Sequence, residues 1–230
     1  MLSRVKIKLR KSLLHLLFII SLLLNFYFLN QIKSYKETEG KYKVREVLDG
    51  GSFIIDLDQT VRLANVDAPA LGFCYGKEAK ENLEKLILGK YVRIERSGRD
   101  NFGRILGIVW MDKEFVNGLV VKNGWARYES GGSEEGKYRE EKEIIKKLAE
   151  EAQQKGIGLW SPLCYQKENL EDPKCVIKGN IGKSHGEKTY HLPGCSEYER
   201  TVVEKDLGEQ WFCTEQEAIK AGYRKSEHCF

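Results

Sequence analysis

Two sets of residues in this chain have types and spacing that can do chemistry. The first lies in VRLANVDAPA, residues 61–70, where Arg62 and Asp67 stand five residues apart. A cation and an acid at the two ends of a strand otherwise written for burial read either as a structural ion pair or as part of a site. The second set is His191, Cys195, Cys213 and Cys229, the residue types of a tetrahedral zinc site. The His191–Cys195 spacing suits zinc, but Cys213 and Cys229 stand alone rather than in a Cys-x-x-Cys pair. The rival reading is disulfides, because the chain holds an even six cysteines. On that reading Cys164 and Cys175 close a short loop, which leaves Cys74, Cys195, Cys213 and Cys229. Both readings stand at this point.

The elements that must position Arg62 and Asp67 are short. Alternation over residues 60–66 predicts a strand, with Val61, Leu63 and Asn65 pointing one way and Arg62, Ala64 and Val66 the other. Pro69 ends the ladder and favours an extended or turn geometry just before it. Residues 42–48, 53–57, 91–96 and 104–110 alternate in the same way, and the turns Asp49-Gly50-Gly51 and Asp58-Gln59 join the first three strands. Ala79, Leu83, Leu86 and Ile87 recur at helical spacing over residues 76–88, and Gly89 suits the stop. A short helix is expected over 115–122 and a longer one over 138–154, with Ile144, Ile145, Leu148 and Ala152 on one face. Five short strands with a helix between the third and fourth fit a five-stranded Greek-key β-barrel with helices, an α+β fold of the oligonucleotide/oligosaccharide-binding (OB) type.

The N-terminal segment differs from this body. Residues 1–36 contain seven basic residues and no acid, so the rest of the chain has 31 basic against 34 acidic residues. Bulk charge therefore gives no support to a nucleic-acid-binding body, and such a site must be local. Residues 13–32 are apolar apart from a few polar interruptions and approach the ~20 residues a transmembrane helix needs. A cleaved signal peptide competes, but no small-x-small site follows. The basic flank before the span leads us to expect a single-pass signal anchor, with residues 37–230 extracytoplasmic. The expected organisation is a basic segment 1–12, a span 13–32, a linker 33–40, a barrel domain 41–161, a connector 162–174 and a small αβ module 175–230. In that module Thr214 with Glu217 three residues later is a capping-box pattern, and Gly222 ends the helix.

In order along residues 41–160 come VLDGGSF, RLANVDAP, GKEA, DNFGRILG, VNGLVVKNGWA and GIGLW. This series resembles the staphylococcal-nuclease-like (thermonuclease) family. Residues 175–230 resemble a small module appended to bacterial nucleases of that family, and are similar in layout to the metal-binding domain of the Ada DNA-repair protein. The first resemblance implies calcium-dependent hydrolysis of DNA or RNA phosphodiesters. It gives Arg62 and Arg104 as phosphate contacts, and Asp67 and the backbone carbonyl of Ala68 as calcium ligands. Two acids of the family pattern are missing: a second calcium carboxylate is replaced by Gly51, and the proposed general base by Ala70. Asp49 is the best stand-in at the metal, ahead of Asp56, Asp58 and Glu78. Tyr128, with Trp125 and Arg127 beside it, lies near the point where the family packs an aromatic by the nucleotide. Lys77 and Arg99 are candidates for the rim.

A positioned base typically contributes about 10² to 10⁴ in rate, or roughly 3–5 kcal/mol of barrier. Hydrolysis is therefore expected to be weak or absent. Three functions follow: a binder of nucleic acid or another phosphorylated ligand, an active nuclease with a rearranged metal site, and an envelope scaffold for protein partners.

Overall fold

The computed structural model describes residues 15, 17–29, 41–131, 138–182 and 186–229. The chain divides into two compact units, residues 1–41 and 42–230. In the first, residues 15 and 17–29 are helical, and large apolar side chains from Leu17 to Leu29 are exposed. Among the described residues no helix is long and apolar enough to cross a membrane. The remainder of the expected span, residues 13, 14, 16 and 30–32, lies outside the described residues.

In the second unit the strands run β1 (Lys41–Asp49), β2 (Ser52–Ile55), β3 (Thr60–Leu63) and β4 (Val66–Asp67). Helix α1 (Gly76–Ile87) follows, then β5 (Tyr91–Arg99), β6 (Ile105–Met111), β7 (Glu114–Phe115), α2 (Val116–Lys122), β8 (Arg127–Tyr128) and α3 (Arg139–Lys155). The sheet order is β3-β2-β1-β5-β6-β7, and a parallel β3–β6 pairing closes the five long strands into a barrel. Val44, Val47, Phe53, Val61, Leu63, Val92, Ile105 and Val109 fill it. Leu83 and Ile87 of α1, Val120 of α2 and Ile145 of α3 complete the core. This is the expected OB-type barrel with helices.

Two details depart from the pattern. The expected strand over 60–66 is broken. Val61 and Leu63 are buried and Arg62 is half-buried, but Ala64, Asn65 and Val66 are all buried, because Asn65 takes φ 59° and turns the chain. Short polar side chains tolerate this left-handed conformation better than most. On α3, Ile144 is 48% exposed rather than in the core, and Ile145, Ala149 and Ala152 form the buried stripe. The bend after β3 is fixed by buried Asn117 on α2. Its Nδ2 donates to the carbonyls of Ala64 (2.9 Å) and Gly107 (3.0 Å), and its Oδ1 accepts from the Val109 amide (2.9 Å). The β1–β2 turn packs so closely that a Cβ at Gly50 would lie 2.6 Å from the Ala79 Cβ and 3.0 Å from the Ala68 Cβ.

After a 3-10 turn at Gly158–Trp160 the tail forms β9 (Tyr165–Gln166), β10 (Ile177–Ile181), β11 (Lys188–His191), β12 (Val203–Glu204), β13 (Gln210–Phe212), α4 (Glu215–Lys220) and β14 (Arg224–Lys225). Its sheet runs β13-β10-β11-β14, over a small cluster of Ile177, Tyr190, Phe212, Ala218 and Tyr223. The Thr214 hydroxyl accepts from the Glu217 amide at 3.2 Å, and the Glu217 carboxylate accepts from the Cys213 amide. So small a core needs staples. These are the disulfides Cys74–Cys164, Cys175–Cys213 and Cys195–Cys229.

That pairing corrects two expectations. Cys164 joins Cys74 in the loop before α1 instead of closing on Cys175. The zinc set His191, Cys195, Cys213 and Cys229 also fails, because each of its cysteines is bonded to another sulfur and has no thiolate to offer a metal. A cluster of Asp172, Cys175 and Cys213 is disqualified in the same way. Burial lowers the pKa of His191, against the opposing charge of Glu197.

The candidate phosphodiester site

Arg62 leaves β3 on the outer face of the barrel, opposite Leu106 of β6. Continuing that parallel register back to Arg104 puts the two arginines on one face as diagonal neighbours. Arg62 Nη2 donates to Asp67 Oδ1 at 2.9 Å and to Glu129 Oε2 at 3.4 Å. Burial pulls the Arg62 pKa down, but the bonds and charges of Asp67 and Glu129 outweigh it and leave it raised. Arg104 donates through Nε to Asp100 Oδ2 at 2.6 Å. Asp100 Oδ1 accepts the amides of Phe102 and Arg104, at 2.9 and 3.0 Å. Burial raises the Asp100 pKa, and its bonds to Arg104 and Phe102 override that and hold it low. Among the described residues the Nη nitrogens of Arg104 donate to nothing, so one side of its fork remains for a ligand.

The other expected residues fall into place unevenly. The Asp67 side chain, in β4, is 45% exposed. Ala68 is half-buried beside it and Ala70 is exposed. Asp49 Oδ1 accepts the Gly51 amide at 2.8 Å, an ordinary turn bond. Asp58 is exposed and pairs with Arg45. Asp56, Lys77, Glu78 and Arg99 are exposed. Trp125 packs against the barrel core. Tyr128 is half-buried opposite Val66, and burial raises its pKa, with Glu143 adding to the shift.

Arg127 does not join Tyr128 on the candidate ligand surface. It is buried, its Nε and Nη2 grip Asp206 at 2.6 and 2.8 Å, and its Nη1 reaches Glu204 at 3.1 Å. Its guanidinium lies 4.3 Å from the Trp160 ring centroid. Arg127 therefore anchors the tail to the barrel.

Glu129 joins this site without any motif to mark it in the sequence. The Glu129 amide donates to the Asn65 carbonyl at 3.1 Å, and Asn65 Nδ2 returns a bond to the Glu129 carbonyl at 2.9 Å. The bend at Asn65 thus holds Glu129 next to Arg62 and Asp67. From Asp67 and Glu129 a cleft of ≈ 770 Å³ runs between barrel and tail, lined also by Lys146, Glu150, Trp160 and Glu204. Acids outnumber bases along these walls, so a polyanion is favoured at the arginine face rather than inside the cleft.

Comparison with known proteins supplies the lineage. The family model described as "Staphylococcal nuclease homologue" matches residues 60–162, from β3 to just past the Gly158–Trp160 turn. A thermonuclease of Staphylococcus intermedius is 34% identical over 140 residues, which are 56% of this chain and 81% of that protein. The chain belongs to the staphylococcal nuclease family. An uncharacterized endonuclease of Haemophilus influenzae is 37% identical over 103 residues, 44% of this chain, and the chain spans only 53% of that relative's length. Protein ParB of Escherichia coli is 29% identical over 133 residues, 52% of this chain and 71% of that protein. The family match contains Arg62, Asp67, Arg104 and Glu129. It stops short of the disulfide-bonded tail and begins after Asp49 and Gly51.

Proposed function

We propose that the protein binds the phosphodiester backbone of nucleic acid at Arg62 and Arg104 and hydrolyses it weakly. The observation that carries this reading is two arginine forks on one barrel face, each braced by a carboxylate, with no side-chain acid at positions 51 and 70. Guanidinium forks match the oxygens of a phosphate and stabilise the charge that builds on them. Bracing by Asp67 and Asp100 fixes their aim without removing all their donors.

The family uses calcium, which takes 6–8 oxygens in general. Here Asp67 is engaged by Arg62, Asp49 is engaged by the Gly51 amide, and Gly51 offers no side chain. This donor set does not fit a tight calcium site, and that supports weak turnover. A rearranged active nuclease is the second reading, and the presence of Glu129 at Arg62 favours it.

The test is binding and cleavage of a labelled single-stranded oligonucleotide by the full chain and by the Arg62→Ala, Arg104→Ala double variant. Each lost phosphate contact on a single strand reduces the slope of log K against log salt by about 0.7, so the double variant should lose about 1.4. Unchanged affinity and slope would sink the reading and leave the protein-scaffold alternative.

The location follows the same logic. Three disulfides suit an oxidising compartment, and the basic, apolar N-terminal segment suits an anchor. Residues 13–32 then hold the protein in a membrane with residues 37–230 outside. In that case carbonate washing leaves it with membranes, and protease added to intact cells digests the body.

A further inference from the structure

Deepening this reading, and resting on the hydrolysis it includes, we propose that Glu129 is the carboxylate that takes the proton from attacking water. Ala70 has no group for the task, so another acid must stand within reach of a phosphate held by Arg62. Among the described residues two carboxylates touch Arg62, and both meet the same nitrogen, Nη2. Asp67 is held at a full hydrogen-bond distance of 2.9 Å. Glu129 is held at 3.4 Å, beyond the 2.7–3.2 Å range of ordinary N–H···O bonds, so its oxygen keeps lone pairs for water.

Several other acids are engaged elsewhere. Asp100 accepts three bonds within its own turn, Asp49 caps the Gly51 amide, and Glu204 and Asp206 neutralise Arg127. The Glu129 side chain is 44% exposed, so water reaches it, while its backbone is clamped on both sides by buried Asn65. That combination suits a base: a fixed main chain, a carboxylate open to solvent, and a cation beside it that also binds the substrate. A general base works within about 2.6–3.2 Å of the proton it removes. A water hydrogen-bonded to the Glu129 carboxylate, beside a phosphate on Arg62, would meet that condition.

In the step, the water oxygen bonds to phosphorus and one of its protons passes to Glu129. The bond from phosphorus to the leaving sugar oxygen breaks, and that oxygen takes a proton from solvent. Glu129 then returns its proton to solvent. No oxidant, reductant or co-substrate is needed.

The experiment compares the full chain with its Glu129→Gln variant on one labelled single-stranded oligonucleotide. Cleavage rate and equilibrium affinity are both measured, the latter with a phosphorothioate version of the same strand. The expected result is a rate lower by about 10² to 10⁴ with affinity within about twofold. Equal rates in the two proteins overturn the proposal and leave the nuclease reading intact. Rate and affinity falling together also overturn it, since that would make Glu129 a brace for Arg62. A wild-type chain that binds the strand but cleaves no faster than the Arg62→Ala, Arg104→Ala variant overturns the base and keeps the binding function. Neither binding nor cleavage overturns both.

Discussion

Position 51 and position 70 differ from position 50 in what a side chain would meet. A Cβ at Gly51 finds its nearest neighbour at 3.6 Å, an ordinary contact, and Ala70 is exposed. Restoring both family acids with Gly51→Asp and Ala70→Glu is therefore sterically permitted. The double variant should cleave single-stranded DNA faster in calcium than the wild type, because it regains a second calcium carboxylate and a carboxylate at position 70. Gly50→Ala is the contrasting change. Its methyl would press on Ala79, and overpacking of this kind costs about 1–3 kcal/mol, read as a lower Tm. Arg62 and Asp67 were legible in the sequence because they share a ten-residue stretch. Glu129 was not, because it lies 67 residues from Arg62 and arrives through a two-residue pairing of β4 with β8. No periodicity marks so short a strand.

At the scale of elements, the barrel strands and helices announced themselves through alternation and helical spacing, and the capping pattern at Thr214 formed where it was read. What misled was proximity in sequence. Cys164 and Cys175 are near neighbours along the chain, yet β10 pairs with β13 so that Ile177 faces Phe212, which brings Cys175 to Cys213. Cys164 is then left to Cys74, which precedes α1. That disulfide spans 90 residues. Closing a loop of this size restricts the unfolded chain, and loss of a native disulfide typically costs about 2–5 kcal/mol. The Cys74→Ser, Cys164→Ser variant should unfold at lower denaturant in a chemical melt. The Asn65 bend was invisible for a related reason: its φ is set by the β3–β4 turn and its contacts with Glu129, not by any local composition.

For the molecule as a whole, the order of landmarks gave the family but said nothing of how the tail meets the barrel. The tail itself contains a titrating group. Glu209 accepts bonds from Asn180, Ile181 and Glu204, yet burial raises its pKa to about 7, with the charge of Glu204 adding to the shift. A carboxyl whose folded pKa is raised favours the folded state while protonated. Its contribution is full below the ordinary value of 4.5 and is lost as pH climbs through about 7. The Tm should fall across that window, and Glu209→Gln should flatten the fall even though it sacrifices one of the bonds. A Tm profile of the variant parallel to the wild type would refute the assignment.

Arg127 gives the tail a standing that family boundaries conceal. The matched segment ends at residue 162, yet the guanidinium in β8, two residues before Glu129 and opposite Asp67, has both its carboxylate partners beyond that point. A chain trimmed to the homologous segment would discard both counter-ions of Arg127. Removing the partners of a buried charge typically costs about 3–5 kcal/mol. The tail is in this sense an electrostatic complement to the barrel. A chain shortened at residue 162 would misrepresent β8, the strand that leads into Glu129.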